Sequence, residues 1–269
     1  MYTREITDFD IDQIARSGQC FRLRPLTKDA YSLTAFGKYL EISQKGTEVA
    51  FSCTEQEFEV LWSGYFDLDT DYAGFKKAID PEDFYLQEAA RTGGGIRILR
   101  QELWETIVTF IISQQNNIPR IQKCVDALCR EFGETVLNFR GNTYDLFPEP
   151  EALAGTSEER LRELGLGYRA PYIVKTARMI CEGEADLCEL PALDYEAAKE
   201  RLLKLSGVGS KVADCICLFA LHHIEAFPVD THIKAMLKRY PSGFPFERYQ
   251  GFAGVLQQYA FYYELHGQG

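Results

Sequence analysis

The sequence predicts an α+β protein: a small antiparallel sheet domain with flanking helices over residues 1–95, then a mainly helical region over 96–269. Three observations predict it. Short β-rich runs between Tyr31 and Cys53 are broken at Gly37 and Gly46, the pattern of an antiparallel meander. The run Gly93-Gly94-Gly95 is the clearest break in the chain and reads as a domain junction. Beyond it, apolar residues recur at helical spacing through most of the remaining chain. A length of 269 residues, 46% hydrophobic and 26% charged, suffices for one large domain or two.

Composition bounds the function. No stretch approaches the ~18 uninterrupted apolar residues of a membrane span. The opening MYTREITDFDID carries acid where a secretory leader carries base. An intracellular protein is expected. Eight cysteines form no CxxC and match no disulfide scaffold, and the four histidines are not set among them at zinc-ligand spacing. The thiols are therefore expected to be reduced and mostly buried, and no metal site is expected. The formal charge is −11, with −7 of it (10 basic, 17 acidic) in residues 1–95. Such a balance argues against a nucleic-acid partner unless a local basic face exists.

Each element follows in order. Helical text starts near Glu55 and gives way to the glycine run. Residues 101–113 place Leu103, Ile107, Phe110 and Ile111 on one helical face. Polar Gln114 to Asn117 interrupts, and a second helix starts with Pro119 in its first turn and stops at Gly133. Thr156 and Glu159 read as a capping box, and Ala170–Ile180 and Tyr195–Leu205 as further helices.

The chemistry concentrates in residues 202–232, LLKLSGVGSKVADCICLFALHHIEAFPVDTH. A helix, a Ser206–Ser210 turn and a second helix near Lys211 make a helix–hairpin–helix over about 196–222. Gly207 and Gly209 permit a tight turn whose N–H groups, with the helix N-terminus behind them, suit a phosphate. At that N-terminus the macrodipole opposes a cation, so Lys211 is favoured as a free amine, the form an amine nucleophile requires. Asp230 follows nineteen residues later, beyond Pro228, where it can cap the next helix and face Lys211. Cys215 is one helical turn from Lys211, and Gln257 and Phe261 are likewise four apart.

LSGVGSKVADCICLFAL and FPVDTH resemble the helix-hairpin-helix DNA glycosylases, specifically the 8-oxoguanine DNA glycosylases. SGQCFRL (17–23), WETIVTFIISQQNNIPRI (104–121), LRELGLGYRAPYI (161–173) and GVLQQYAFYYEL (254–265) resemble the same family in the same order. The resemblance implies a DNA glycosylase with associated lyase activity in base excision repair. Its partner would be duplex DNA containing 8-oxoguanine, preferably opposite cytosine, and it would act as a monomer in the cytoplasm or at the nucleoid. Lys211 would be the nucleophile and Asp230 its assistant. Cys215 and Phe261 would sandwich the extruded base, Gln257 would read its Watson–Crick edge, and the Gly18 carbonyl would accept from the N7–H of the lesion.

By the same resemblance, Gln115, Asn116, Asn117, Arg120, Tyr168 and Arg169 would fill the vacated duplex and read the opposite base. Tyr168 would be the aromatic wedge, and Gln115 stands where the family has asparagine. Cys20 likewise stands where a serine is expected. His232, with Glu264 as its acidic partner, would contact phosphate together with Gly207 and Gly209. No redox cofactor or catalytic metal is implied. Some relatives hold an iron–sulfur cluster on four C-terminal cysteines, but the last cysteine here is Cys217. A monovalent cation at the hairpin is a family expectation. Two alternatives stay open on the residues: a monofunctional alkylated-base glycosylase and a non-catalytic helix-hairpin-helix DNA-binding protein. Lys211 speaks against the first, and Lys211 with Gln257 against the second.

Overall fold

Alternation of buried and exposed side chains builds the first layer. In the computed structural model, which describes residues 1–267, five strands form one antiparallel sheet in the order β1-β5-β4-β3-β2. The last two residues of the predicted 96–269 region lie outside the described residues. The strands are β1 Tyr2–Glu5, β2 Arg24–Thr27, β3 Ala30–Ala35, β4 Lys38–Lys45 and β5 Glu48–Phe51. The meander expected between Tyr31 and Cys53 is β3 to β5. Tyr31, Leu33 and Ala35 of β3, Leu40 and Ile42 of β4, and Val49 and Phe51 of β5 point inward at period two. β1 and β2 are edge strands of polar text with mostly exposed side chains, so they carry no alternation to read.

Helices cover that sheet. α1 (Ile11–Arg16) is capped by Asp10, and α2 (Glu55–Glu57) continues through a π turn, Phe58–Trp62, into α3 (Ser63–Tyr65). Phe58, Trp62 and Phe66 complete the sheet's core. α4 (Tyr72–Lys77) and α5 (Phe84–Thr92) precede the glycine run, yet Tyr72, Leu86 and Ala89 belong to the helical core. The chain therefore crosses between the cores more than once: Phe21 packs in the helical core, and after Ile96 and Ile98 the chain returns Leu99 to the sheet core. The glycine run is a turn clamped to α1: Asp10 N donates to the Gly95 carbonyl at 2.9 Å and Gly95 N to Gln13 Oε1 at 2.8 Å.

The helical body comprises α6 (Leu103–Ser113), α7 (Ile118–Phe132), α8 (Pro150–Ala154), α9 (Glu158–Glu163), α10 (Ala170–Cys181), α11 (Tyr195–Leu202), α12 (Ser210–Phe219), α13 (Thr231–Leu237) and α14 (Ala253–His266). α7 starts and stops where Pro119 and Gly133 predict. α6 is buried on every side from Thr106 to Ile112, a central helix rather than one with a single inward face. α9 is capped by Ser157, whose hydroxyl accepts from Arg160 N at 3.1 Å, which corrects the box read at Thr156 and Glu159. A short hairpin, β6 (Thr135–Leu137) with β7 (Thr143–Asp145), was not expected in this region. Among the described residues no helix is long and apolar enough to cross a membrane.

Candidate active site

The hairpin between α11 and α12 is held by packing that only glycine allows. Gly207 has φ +78°, and a Cβ there would lie 2.5 Å from Tyr172 Cβ on α10. The Gly207 carbonyl accepts from Gln114 Nε2 at 2.9 Å, and the Ser206 carbonyl from Thr176 Oγ1 at 2.9 Å. Gly209, the N-cap of α12, is extended and exposed. α11 is fastened to α12 from the side: Lys199 Nζ lies 2.7 Å from Asp214 Oδ1, which also accepts from Tyr195 OH at 2.7 Å. The far end of α12 is tied to the segment linking the two cores, where Gln101 N donates to the Phe219 carbonyl at 2.9 Å.

One cavity of about 50 Å³ collects the predicted pocket residues: Gly18, Lys211, Cys215, Asp230, Gln257 and Phe261 all line it. Lys211, Cys215 and Phe219 stand one turn apart along α12, so one helical face supplies three of its walls. Lys211 Nζ donates to Ser113 Oγ at 3.4 Å and lies 5.1 Å from the centroid of Phe110, whose ring stacks on Phe219. Burial pushes the Cys215 thiol up to about 11 against the lowering influence of Lys211, so it faces the cavity as a neutral, apolar group. Asp230 caps α13: Oδ1 accepts from Ile233 N at 2.9 Å.

Gly18 reaches the cavity because its neighbours are pinned. Gln19, fully buried, donates through Nε2 to the Arg97 carbonyl and the Ser17 hydroxyl, both at 2.9 Å, and accepts from Leu99 N through Oε1 at 2.9 Å. Gly18 has φ +75°, and a Cβ there would come within 3.2 Å of the Phe261 ring. Cys20 is buried 3.6 Å from Tyr65 OH, a contact inside the sheet core. On the opposite wall, Gln257 Nε2 donates to the Pro228 carbonyl at 2.9 Å, and Gln257 Oε1 accepts from Gln258 Nε2 at 3.1 Å. A larger cleft, about 520 Å³ around Asp8, Lys76 and Arg91, does not include Lys211 or Asp230.

The second predicted group sits around the α6–α7 turn. Gln115 is exposed at φ +48°. Asn116 bridges the turn, donating to the Ile112 carbonyl and accepting from Asn117 N, each at 3.0 Å. Asn117 is the N-cap of α7, accepting from Arg120 N, and the Arg120 side chain is exposed. Tyr168, 47% exposed, stands beside this turn with its hydroxyl on the Gln114 carbonyl at 3.1 Å. Arg169, by contrast, is only 3% exposed: its guanidinium bonds the carbonyls of Gln114 and Gln115 and packs 4.5 Å from the Tyr168 ring. It braces the turn and does not present its donors to solvent.

His232 is exposed on α13 and meets Phe261 edge-on at 5.7 Å. Glu264 accepts from Tyr85 OH at 2.7 Å and lies 3.8 Å from Arg239. Sequence reasoning did not single out Ser17, Phe219, Pro228 and Gln258, which also line the cavity, and it read Phe110 only as core. Phe219 continues the spacing of four that links Lys211 to Cys215 and was open to the same argument. Gln258 carried no such signal, because neighbours on a helix point about 100° apart.

Residues 1–107 match the 8-oxoguanine DNA glycosylase N-terminal domain, and residues 108–244 the HhH-GPD superfamily of base excision DNA repair proteins. The fold is shared with MBOgg1, solved in complex with a low-affinity DNA ligand: TM-score 0.92 and 33% identity, covering 99% of this chain and 95% of that one. It is shared as well with the Clostridium acetobutylicum 8-oxoguanine glycosylase/lyase, solved with duplex DNA containing cytosine opposite to 8-oxoG. There the TM-score is 0.90 at 36% identity, covering 97% and 93% of the two chains. The N-glycosylase/DNA lyase of Saccharomyces cerevisiae is 44% identical over 156 residues, which span 54% of this chain and 42% of that protein. With both halves matched in order and a common fold over nearly its whole length, the chain belongs to the 8-oxoguanine DNA glycosylases of the HhH-GPD superfamily.

Proposed function

We propose that the protein excises 8-oxoguanine from duplex DNA and cleaves the strand at the resulting site, acting as a DNA glycosylase with lyase activity in base excision repair. The observation that carries this reading is the convergence of Lys211, Asp230, Cys215, Gln257, Phe261 and the Gly18 backbone on one cavity. The relatives' activities support it.

The chemistry follows from these groups. A base inside a duplex is out of reach, so it is extruded into the pocket. At about 50 Å³ the cavity holds one or two waters at roughly 30 Å³ each. A bicyclic base is larger than this, so the walls of the cavity part to admit it. Lys211 Nζ attacks the sugar C1′: the N–C1′ bond forms and the glycosidic bond breaks, its electron pair leaving with the base. Asp230, fixed by its cap bond, stabilises the positive charge that develops on the sugar and draws the proton from the amine. Ring opening leaves a Schiff base, from which β-elimination breaks the strand.

Neutral Cys215 and Phe261 offer two apolar faces for the base, Gln257 reads its Watson–Crick edge, and the Gly18 carbonyl accepts from N7–H. Guanine, lacking that proton, sets a bare acceptor against the carbonyl and is disfavoured. A preference for cytosine on the other strand rests on Tyr168, Arg120 and the 114–117 turn. Phosphate contacts are assigned to the backbone at Gly207 and Gly209 and to His232. Arg120, Lys204, Lys234 and Lys238 enter none of the ion pairs among the described residues, which leaves their charge available to phosphate. An amine and a carboxylate suffice for the reaction, with no redox cofactor or catalytic metal. A monovalent cation at the hairpin would rest on its backbone carbonyls, of which Ser206 and Gly207 already accept from Thr176 and Gln114. Every residue invoked comes from one chain, which suits an intracellular monomer working at the DNA.

Borohydride trapping on a duplex with one 8-oxoguanine opposite cytosine tests the reading. A covalent adduct with the wild type and none with Lys211→Gln is expected. Base release without trapping would make the enzyme monofunctional, and no release at all would sink the substrate assignment.

A further inference from the structure

The pocket wall on α14 carries two adjacent amides, and their orientation can be fixed without reference to the reaction. The Pro228 carbonyl can only accept, so the Gln257 atom beside it at 2.9 Å must be Nε2. That leaves Gln257 Oε1 on the other side, and it in turn can only accept from Gln258, at 3.1 Å, so the Gln258 atom there is Nε2 as well. The relay ends at Gln258 Oε1. Gln258 is 4% exposed, lines the same cavity, and its Oε1 is buried with no hydrogen-bond partner in the protein. A buried carbonyl oxygen without a partner is costly and marks a place where something else supplies the donor.

We propose that Gln258 is a second specificity-determining residue of the base pocket, its Oε1 accepting from the exocyclic 2-amino group of a guanine-type lesion. The inference rests on the reading of this cavity as the base pocket. It deepens that reading through a donor–acceptor count. After their mutual bonds, Gln257 Nε2 and Gln258 Nε2 each keep one N–H, Gln257 Oε1 keeps one lone pair, and Gln258 Oε1 keeps both. Taken together, the free Gln257 N–H and the two Oε1 atoms match the one donor and two acceptors that cytosine presents to guanine, whose edge offers O6, N1–H and the 2-amino group. Adenine offers an amino group and a bare ring nitrogen, which would meet an acceptor with an acceptor. Gln258 therefore does two things: it locks the Gln257 amide in one orientation, and it extends the readout to the one guanine donor that hypoxanthine lacks.

The test compares single-turnover excision of 8-oxoguanine with that of 8-oxohypoxanthine, which differs only by the missing 2-amino group, each opposite cytosine. The wild type is expected to favour 8-oxoguanine by about tenfold, the size of one lost hydrogen bond that strands a buried acceptor. Gln258→Met, which keeps the volume and removes the amide, is expected to bring the ratio close to one. Equal rates on the two lesions with the wild type would overturn the proposal, and that arm does not depend on how any variant folds. A variant that is folded by circular dichroism and still shows the tenfold preference would overturn it too. Failure of the underlying reading is distinguishable, since the wild type would then release neither base.

Discussion

Replacing Gly207 with alanine tests whether the hairpin is held by packing against α10. A Cβ there would stand 2.5 Å from Tyr172 Cβ and 2.6 Å from Cγ, with φ at +78°. The left-handed backbone costs a non-glycine residue about 1–2 kcal/mol. Reaching ordinary contact distance means opening the hairpin by roughly 1 Å, and such overpacking adds about 1–3 kcal/mol. The expected loss is about 2–5 kcal/mol. Gly209→Ala is the internal comparison: its backbone is extended, nothing lies within 4 Å of the added methyl, and the change should cost at most about 1 kcal/mol. Urea unfolding followed by circular dichroism measures both. Since Lys211 follows the turn directly, a hairpin displaced by about 1 Å should also slow excision by about a hundredfold. If Gly207→Ala lies within 1 kcal/mol of Gly209→Ala, the close approach to Tyr172 is not what holds the turn.

Four further outcomes are expected. Asp230→Asn keeps the cap on Ile233 N, because asparagine caps as well as aspartate, so stability should change by under about 0.5 kcal/mol while excision collapses. A matching loss of stability, read by thermal melting, would mean that the carboxylate acts in folding. Burial pushes His222 down to about 4, with Arg100 and His223 adding to it and Asp67 opposing. The folded chain thus holds fewer protons than the unfolded chain between pH 4 and 6.5. Its stabilising effect is complete above pH 6.5 and is lost towards pH 4, on the order of 3 kcal/mol. His222→Asn, which tolerates the φ of +58°, should flatten the slope of Tm against pH in that window, and an unchanged slope counts against burial as the cause. Iodoacetamide at neutral pH should label Cys181 and Cys188 quickly and leave Cys215 intact, as read by peptide mass spectrometry. Gln115→Asn should raise Tm slightly, by up to about 1 kcal/mol in stability, because asparagine is enriched at the left-handed φ of +48° that this position adopts.

What the sequence reveals of this site is what repeats at helical spacing or breaks a helix. Lys211 and Cys215 fall one turn apart, Asp230 follows a proline break, and Gln257 with Phe261 repeats the interval, and all of these meet at the cavity. Gly18 lies 243 residues from Phe261, and no local pattern joins them. Only the family resemblance brings Gly18 in, and the reason it arrives there is Gln19, whose buried amide is bonded to residues 17, 97 and 99. Gln258 stayed hidden because a surface helix buries one face, whereas α14 is buried from Ala253 to Ala260 on every side. The hydrophobic cores do not follow the glycine run at Gly93–Gly95 for a related reason. Glycine runs mark where the chain turns, but α4 and α5 side chains choose the helical core, and burial is decided by partners far along the chain.

Arg169 shows how the same limit bears on mechanism. Its donor fork matches what reading an orphan cytosine requires, but those donors are spent inside the protein on the carbonyls of Gln114 and Gln115. Gln114 is the shared partner: its side chain reaches the Gly207 carbonyl of the hairpin, while its own carbonyl accepts from both Tyr168 and Arg169. One residue thus fastens the α6 terminus, the hairpin ahead of Lys211 and the segment bearing Tyr168. On the proposed reading, any contact of the Tyr168 hydroxyl with the opposite strand would compete with its bond to the Gln114 carbonyl. On this geometry Gln114→Ala should weaken discrimination between opposite bases more than it slows excision opposite cytosine. Equal losses opposite all four bases, measured under single-turnover conditions, would reduce Gln114 to a structural bond.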